Sequence, residues 1–184
     1  DGNGDLEIVI TSKSQHLYVL DDECNLELDF DAEQYLMGTP AIGNLDDDPE
    51  KEIVFGGYTN PGTIFAINHD GSPVENFPLE LDEKIQRGVA LADFNGNGKD
   101  DIVCGTDDEH LYLIYDDGTI ADGFPFEASG DFRTAPVVID VNGSKVIFAG
   151  SRDNSFYAVN SDGSLLFEIQ TGDDIPSSAG ILET

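Results

Sequence analysis

One phrase returns four times along this chain, and that repetition limits the fold more than any other feature. Its copies begin at residues 16, 63, 110 and 155, which places them 47, 47 and 45 residues apart. Each copy is a short alternating apolar stretch that runs into an Asp-rich or Asp-Gly turn: HLYVLDDE, TIFAINHDG, HLYLIYDDG and SFYAVNSDG. Alternation followed by such a turn is typical of a strand that enters a β-hairpin.

Three other strand-like phrases recur around it in a fixed order. Small apolar runs begin at residues 40, 89, 136 and 179, Ile-Val or Val-Ile runs begin at 7, 52, 101 and 145, and a fourth set begins at 26, 74, 120 and 165. No helical period is visible. Four strands in a period near 46 residues match one blade of a β-propeller. The sequence therefore predicts an all-β propeller of four four-stranded blades.

The two ends of the chain are in phase with each other. The first copy lacks an inner strand, and residues 178–184 supply one with nothing after it. We expect one domain over 1–184, with blades at 178–184 plus 1–37, 38–87, 88–133 and 134–177. Two interpretations stay open: a four-bladed ring that the C-terminal strand closes, or part of a larger propeller. Two chains that join into an eight-bladed ring are a further possibility.

The loop of the third repeat carries oxygen side chains at alternate positions. Asp93, Asn95, Asn97 and Asp101 occupy positions 1, 3, 5 and 9, glycines occupy positions 4 and 6, and Lys99 offers its carbonyl at position 7. Calcium takes six to eight such oxygens. An EF-hand would need a Glu at position 12 and flanking helices, whereas this chain has a cysteine there between strands. The pattern predicts a calcium loop of another kind.

The second repeat has the same register, and the first has part of it. Its predicted ligands are Asn44, Asp46, Asp48, Glu50 and Glu52, with Glu50 acting through its carbonyl. The first repeat offers Asp1, Asn3, Asp5 and Glu7. The fourth, residues 140–145, is too short and ends in lysine, so we expect no ion there. Two or three calcium ions result, although Asp, Asn and Gly also favour ordinary solvated turns.

The charge of the chain agrees with bound cations. Its 38 acidic and 8 basic residues give a formal net charge of −30. Such a surface repels nucleic acids and anionic membranes. The chain also has no apolar run near the ~20 residues of a membrane helix. Calcium ions would offset the repulsion among the acids.

The loop at 93–101, followed by Ile-Val, resembles the FG-GAP (VCBS-type) repeat of integrin α-subunit propellers and their bacterial relatives. The resemblance implies calcium at the inner hairpin loops, here at 93–101 and 44–52. It also implies a secreted or cell-surface protein with a binding or adhesive role. The family usually builds about seven blades, so four copies depart from its pattern.

The opposite face of the propeller is the candidate ligand surface. Every arginine of the chain falls in its loops, together with aromatic residues: Arg87, Arg133, Arg152, Tyr35, Tyr58 and Phe132. Arginine suits carboxylate or sulfate groups, and aromatic rings suit sugars or proteins. Alternatively, the arginines pair with acids of neighbouring blades.

Three functions follow, in this order. The first is a calcium-binding, non-enzymatic module that binds a protein or carbohydrate ligand at or outside the cell surface. The second is a carbohydrate-active enzyme, such as a polysaccharide lyase, on a calcium propeller. The third is a self-assembling structural subunit, since a homo-oligomer is possible. No set of nucleophile, base and orienting residue stands out, which favours the non-enzymatic interpretation.

Overall fold

The computed structural model describes residues 4–81 and 83–182. Those residues form fifteen β-strands and no helix. The strands are β1 (Ile8–Thr11), β2 (His16–Leu20), β3 (Leu26–Asp31), β4 (Ala41–Gly43), β5 (Glu52–Gly56), β6 (Gly62–Ile67), β7 (Leu79–Leu81), β8 (Ala90–Ala92), β9 (Asp101–Gly105), β10 (His110–Ile114), β11 (Phe126–Glu127), β12 (Val137–Val141), β13 (Ser144–Gly150), β14 (Ser155–Asn160) and β15 (Leu165–Gln170). The all-β prediction is confirmed.

The strands join into four antiparallel sheets, one for each sequence repeat. The first sheet contains β1–β3, and the second, third and fourth contain β4–β7, β8–β11 and β12–β15. Strands that follow one another in sequence also lie side by side in the sheet. This up-and-down order is that of a propeller blade, so the propeller prediction is confirmed as well.

Three apolar cores fill the spaces between consecutive sheets. The first and second sheets share a core in which the rings of Phe55 and Phe65 stack with centroids 5.0 Å apart. A second core joins the second and third sheets, and another joins the third and fourth. No core among the described residues joins the fourth sheet to the first. The four sheets therefore follow one another in a row that curves around a central cleft, which the segments between the sheets and the segment after the fourth sheet line together. Among the described residues, no apolar core covers the outer face of the first or the fourth sheet.

The middle and the ends of this row differ in burial for that reason. Strands β5, β6 and β9 are buried at every residue, because a neighbouring sheet covers each of their two faces. Strand β15, in contrast, is exposed along its whole length. The apolar residues of the two central sheets thus have partners on both sides, and those of the end sheets on one.

The described residues do not form the ring closure that the ends of the sequence suggest. Residues 178–182 carry no strand, and β1 remains the edge of a three-stranded sheet. Among the described residues, this segment pairs with no strand, although Ser178 lines the central cleft together with residues 37–39. Of the two interpretations, the four-bladed ring closed by the C-terminal strand is therefore not what the described residues form.

The outer strands of the second and third sheets begin later than expected. The sequence predicts them from residues 74 and 120, whereas β7 and β11 follow Pro78 and Pro125. Proline has no N–H to donate to a ladder. The preceding segments instead form turns. In the second sheet Phe77 N–H donates to the carbonyl of Val74 at 3.1 Å, and in the third sheet Phe124 N–H donates to the carbonyl of Ala121 at 3.1 Å.

Candidate metal loops and the arginine cleft

The candidate metal loops connect the innermost strand of a sheet to the second strand. One joins β4 to β5 and the other joins β8 to β9. Since consecutive strands are antiparallel, both loops lie at the same end of their strands. The loops that carry the arginines lie at the opposite end. The predicted separation of the two surfaces follows from this topology.

Both loops share the internal hydrogen bonds that their common register predicts. The Asp46 carboxylate accepts the N–H of Asp48 at 2.9 Å, and the Asn95 side chain accepts the N–H of Asn97 at 3.0 Å. The side chains of Asp48 and Asn97 in turn accept the N–H two residues further on, at 3.0 and 2.8 Å. Alternate side chains therefore turn inward in both copies.

In the loop at 44–52, three carboxylates converge. One oxygen from each of Asp46, Asp48 and Glu52 lies within 4.8 Å of the others. Glu52 is fully buried, and the N–H of Leu45 donates to its Oε2. Its Oε1 is buried and has no hydrogen-bond donor among the described residues. Burial, with the negative charges of Asp46 and Asp48 adding to it, raises the pKa of Glu52.

In the loop at 93–101, backbone donors already satisfy the buried carboxylate. Asp101 Oδ2 accepts the N–H groups of Phe94 (2.7 Å) and Asn95 (3.3 Å), and its Oδ1 accepts the N–H of Asp116 (3.1 Å). Asp93 turns onto the loop's own backbone, where its carboxylate accepts the N–H groups of both glycines and of the asparagine between them. Burial nevertheless raises the pKa of Asp101 to about 6.

The two loops also contact each other across the space between sheets. Asn44 N–H donates to Asp100 Oδ2 at 3.0 Å, and Asp100 N–H donates to the Asn44 carbonyl at 2.6 Å. The ammonium of Lys99 lies 3.1 Å from Asp47 and 3.8 Å from Asp116. A Cβ on Gly43 would lie 2.6 Å from Asp100 Oδ2 and 2.6 Å from Leu91 Cδ1, so a larger residue here would displace both side chains. The sequence pattern did not single out Asp100 or Asp116, because their contacts come from neighbouring elements.

The first and fourth copies differ from these two. Asp1 and Asn3 lie outside the described residues, while Glu7 lines a cleft of about 450 Å³ between the first and second sheets. In the fourth copy β12 and β13 pair as far as Val141 and Ser144. Asn142 and Gly143 form a two-residue turn with φ of 55° and 84°. That turn leaves no loop to wrap around an ion.

At the end of the strands opposite the metal loops, two of the three arginines pair with acidic side chains. Arg133 binds both carboxylate oxygens of Asp107 at 2.9 and 2.8 Å and lies 3.1 Å from Asp131. Arg152 donates to Asp174 at 2.9 Å. The Asp107 pair raises the pKa of Arg133. By the expected blade bounds these pairs lie within the third and the fourth blade. The pairing with a neighbouring blade that the alternative interpretation expects is the contact of Arg152 with Asp131, at 3.7 Å.

Arg87 differs from the other two. Among the described residues its Nε donates to the carbonyl of Arg133 at 3.2 Å, and it forms no ion pair. All three arginines line one cleft of about 260 Å³, together with Gln86, Asp174 and Pro176. The cleft therefore brings the predicted arginines together, and the guanidinium of Arg87 has no acidic partner among the residues that the structure describes.

The aromatic residues do not join this cleft. Phe132 is 1% exposed and packs in the core between the third and fourth sheets, so it offers no ring to a ligand. Tyr35 is exposed, and its carbonyl accepts the N–H of Tyr58 at 2.7 Å. Lys84 Nζ lies 5.6 Å from the centre of the Tyr58 ring. Neither tyrosine lines the arginine cleft, although Tyr58 lies near enough to Arg133 to contribute to its raised pKa.

One family of known proteins matches most of the chain. The family described as the lambda-carrageenase β-propeller domain matches residues 53–173, about two thirds of the sequence. The match begins in β5 and ends after β15, so it includes the loop at 93–101 and all three arginines. No curated protein gives a significant match.

Solved structures match the fold at low sequence identity. Sqt1 of Saccharomyces cerevisiae has a TM-score of 0.74 at 14% identity, over 95% of this chain and 50% of that one. BamB from Moraxella catarrhalis has a TM-score of 0.71 at 14% identity, over 90% and 46%. BBS1N in complex with ARL6DN has a TM-score of 0.69 at 13% identity, over 94% and 52%. The chain spans about half the length of these structures.

These likenesses support the propeller fold alone. The family match is to a carrageenase-type propeller rather than to the FG-GAP repeat that the loop motif resembles. In the part of the chain that the structure describes, no helix has the length and apolar character to cross a bilayer.

Proposed function

This chain belongs to the lambda-carrageenase β-propeller domain family, and from that premise we propose that it is a calcium-stabilised propeller that serves as a non-enzymatic binding module at or outside the cell surface. One observation carries the calcium part of the proposal. Asp46, Asp48 and Glu52 converge within 4.8 Å, and an oxygen of the buried Glu52 has no donor among the described residues.

The electrostatics of that loop favour a divalent cation. A buried carboxylate without full pairing is costly, and two neighbouring carboxylates raise that cost. Oxygens of all three carboxylates would coordinate a calcium ion together with a backbone carbonyl, and the sequence predicts that this carbonyl is that of Glu50. The net charge of −30 adds a general reason why bound cations stabilise the folded chain. The loop at 93–101 is the proposed second site, in line with its FG-GAP resemblance.

Calorimetry and thermal unfolding test the calcium part. We expect heat of binding on titration with Ca²⁺, and a melting temperature that rises with free calcium, because a ligand of the native state adds about 2.7 kcal/mol of stability at 100 times its Kd. Glu52→Gln should raise the melting temperature in EDTA, since it removes a buried negative charge, and should reduce the gain that calcium gives.

Glu80→Gln is the matched control, because Glu80 is exposed in β7 and lies outside both loops. It should leave the calcium response unchanged. A chain that binds no calcium in the calorimeter, and whose melting temperature is the same in EDTA and in calcium, would refute this part of the proposal.

The proposed ligand is a sulfated polysaccharide such as lambda-carrageenan. The family name supports this class, and so does the cleft, in which Arg133 and Arg152 are held in place by acids while Arg87 has no acidic partner in the described part of the chain. A guanidinium binds sulfate oxygens through paired N–H donors. Because acids surround the cleft, we expect binding to depend on this local geometry rather than on the overall charge.

Binding of lambda-carrageenan oligosaccharides tests the ligand. Arg87→Ala should weaken binding about tenfold, or about 1.4 kcal/mol. Lys145→Ala, at the same end of the strands as the calcium loops, should leave binding unchanged. Desulfated oligosaccharides should bind poorly. Equal binding of sulfated and desulfated sugars, or an Arg87→Ala variant that binds like the parent, would rule out this site.

The second candidate function is a carbohydrate-active enzyme, which the family name also supports. The same oligosaccharides decide between the two. Steady release of new reducing ends or of unsaturated product by the purified chain would favour the enzyme, and intact oligosaccharides recovered after binding would favour the module.

A further inference from the structure

The segments between consecutive sheets share one backbone hydrogen bond, at the end of the strands that carries the arginines. Each bond runs from an N–H after the second strand of a sheet to a carbonyl in the segment before that sheet. The described residues form three of them: Tyr58 to Tyr35 (2.7 Å), Asp107 to Lys84 (3.1 Å) and Arg152 to Asp131 (3.0 Å). Because the sheets follow one another in order, these six residues also lie in order, and we call them the junction track.

Side chains connect the three pairs of the junction track to one another. The ammonium of Lys84 lies 5.6 Å from the centre of the Tyr58 ring, which connects the first pair to the second. Arg133 connects the second pair to the third, because its guanidinium lies 2.8 Å from the carboxylate of Asp107 and 3.1 Å from that of Asp131. The junction track therefore runs without a break from the two tyrosines to the arginine cleft.

The half of the track away from the arginine cleft carries two aromatic rings and one cation. Tyr35 is 52% exposed, Tyr58 is partly exposed, and Lys84 lies beside Tyr58. These three residues form the tyrosine–lysine patch. Among the described residues the one ion pair of Lys84 is with Glu83, at 3.7 Å, and that carboxylate also accepts the side-chain N–H of Asn60 at 2.7 Å. Since an ammonium has three N–H donors, Lys84 keeps donors for a ligand.

The chemistry of this patch suits the same class of ligand as the arginine cleft. A tyrosine offers an apolar ring and a hydroxyl, which together suit the mixed surface of a sugar ring. A lysine ammonium binds a sulfate as a point charge. Neighbouring junctions are separated by one sheet spacing, which is about 10 Å. A short oligosaccharide spans that distance, whereas a single sugar does not.

From the junction track we infer that the tyrosine–lysine patch is a second subsite for the sulfated polysaccharide. One sugar ring packs against the tyrosines and its sulfate binds Lys84, while a sulfate further along the same chain occupies the arginine cleft. The inference rests on the proposed ligand. It adds that affinity rises with oligosaccharide length, because the second contact forms within a complex that the first contact already holds.

Calorimetric titration with lambda-carrageenan oligosaccharides of graded length tests the second subsite. The shortest oligosaccharide that binds should fill the arginine cleft alone, so Arg87→Ala should weaken binding at every length. Tyr58→Ala should leave the affinity of the shortest oligosaccharide unchanged and should weaken the longer ones about tenfold. Lys84→Ala should have the same length dependence, with a loss of about fivefold for the longer ones.

Conservative and matched variants separate loss of the subsite from loss of structure. Tyr58→Phe keeps the ring and should retain most of the affinity that Tyr58→Ala loses. Lys84→Ala removes a partly exposed side chain and tests the patch even if Tyr58→Ala unfolds. Lys145→Ala removes the same charge at the opposite end of the strands, and it should leave the affinity unchanged at every length.

The titrations distinguish failure of the second subsite from failure of the proposed ligand. If no oligosaccharide of any length binds, both are wrong. If binding depends on Arg87 but the longer oligosaccharides bind Tyr58→Ala and Lys84→Ala as tightly as the parent chain, the proposed ligand stands and the second subsite is refuted. Losses in these two variants that are equal at every length would also refute it, because the patch would then not be a separate contact.

Discussion

The two loops at 44–52 and 93–101 have the same register and the same internal hydrogen bonds, yet their buried carboxylates differ in how many hydrogen-bond donors they have. Glu52 has one N–H donor and one oxygen without any donor among the described residues. Asp101 accepts three backbone N–H groups, one of them from the next hairpin. The comparison shows that one repeated motif yields two kinds of site, depending on how many backbone N–H groups the surrounding chain donates to the buried acid.

The difference bears on what an ion would contribute in each loop. At 44–52 three carboxylates converge without enough donors, so a cation would neutralise an existing repulsion. At 93–101 the backbone already organises the acids, so a cation would join a loop that is close to its final shape. Affinity in such loops depends on the number of charged ligands and on rigidity.

The largest expected effect tests the difference in hydrogen-bond donors between the two buried acids. In calcium-free buffer, Asp101→Ala should lower the free energy of unfolding by about 2 kcal/mol more than Glu52→Ala, because it leaves three backbone donors unpaired rather than one. Both changes remove a buried charge, so that contribution is common to the pair. Chemical denaturation of both variants measures the difference, and equal losses would show that the two acids are equivalent.

Calcium affinity should distinguish the loops next. We expect two binding steps that differ about tenfold, or about 1.4 kcal/mol, with the tighter step at 44–52, where three carboxylates are available rather than two. Asp46→Asn should remove the tight step, and Asp93→Asn should remove the weak one. Isothermal titration of the two variants assigns the steps, and the reverse assignment would contradict our interpretation of the comparison.

The pH dependence of stability should follow from Asp101. Its pKa in the folded state, about 6, lies above the ordinary value of 3.8. The raised pKa therefore stabilises the calcium-free fold below about pH 4, and this contribution is lost as the pH rises through 6. Between pH 5 and 7 the loss is about 1 kcal/mol.

Calcium should reverse that sign, because binding requires the ionised carboxylate. Denaturation in EDTA and in calcium at several pH values measures both slopes. Asp101→Asn supplies the control, since it should reduce the slope between pH 5 and 7 in EDTA by the amount that Asp101 contributes, while the raised pKa of Glu52 adds a slope of the same sign. A slope that this substitution leaves intact would assign the effect to other acids.

The smallest effect concerns the contact between the two loops. Asp100→Ala removes the acceptor of the Asn44 N–H and should cost about 1 kcal/mol or less. Because the contact joins the two loops, we also expect calcium in one loop to raise affinity in the other less than fivefold, and this gain to vanish in the variant. Lys51→Ala, a change within the loop at 44–52 that leaves the contact intact, should keep the gain.

Much of this molecule follows from local patterns in the sequence. The four strand phrases, the meander order and the alternate inward side chains of the loops depend on alternation and turn residues, which act over a few positions. The same patterns placed the outer strands of the second and third sheets too early. Pro78 and Pro125 interrupt the ladder there, and the position of a proline was visible in the sequence.

The repeat, the strand type and the oxygen-rich loops can be inferred from the sequence alone, because each depends on residues that are close in the chain. The packing of loops and sheets, in contrast, determines that Asp101 accepts an N–H from residue 116 and that Phe132 lies in a core. It also determines that Arg133 pairs with Asp107, while Arg87 has no acidic partner among the described residues. The outer edge of β1 and residues 178–182 form no ladder in the described part of the chain. These outcomes depend on contacts between segments that are well separated in the chain, which no local pattern relates.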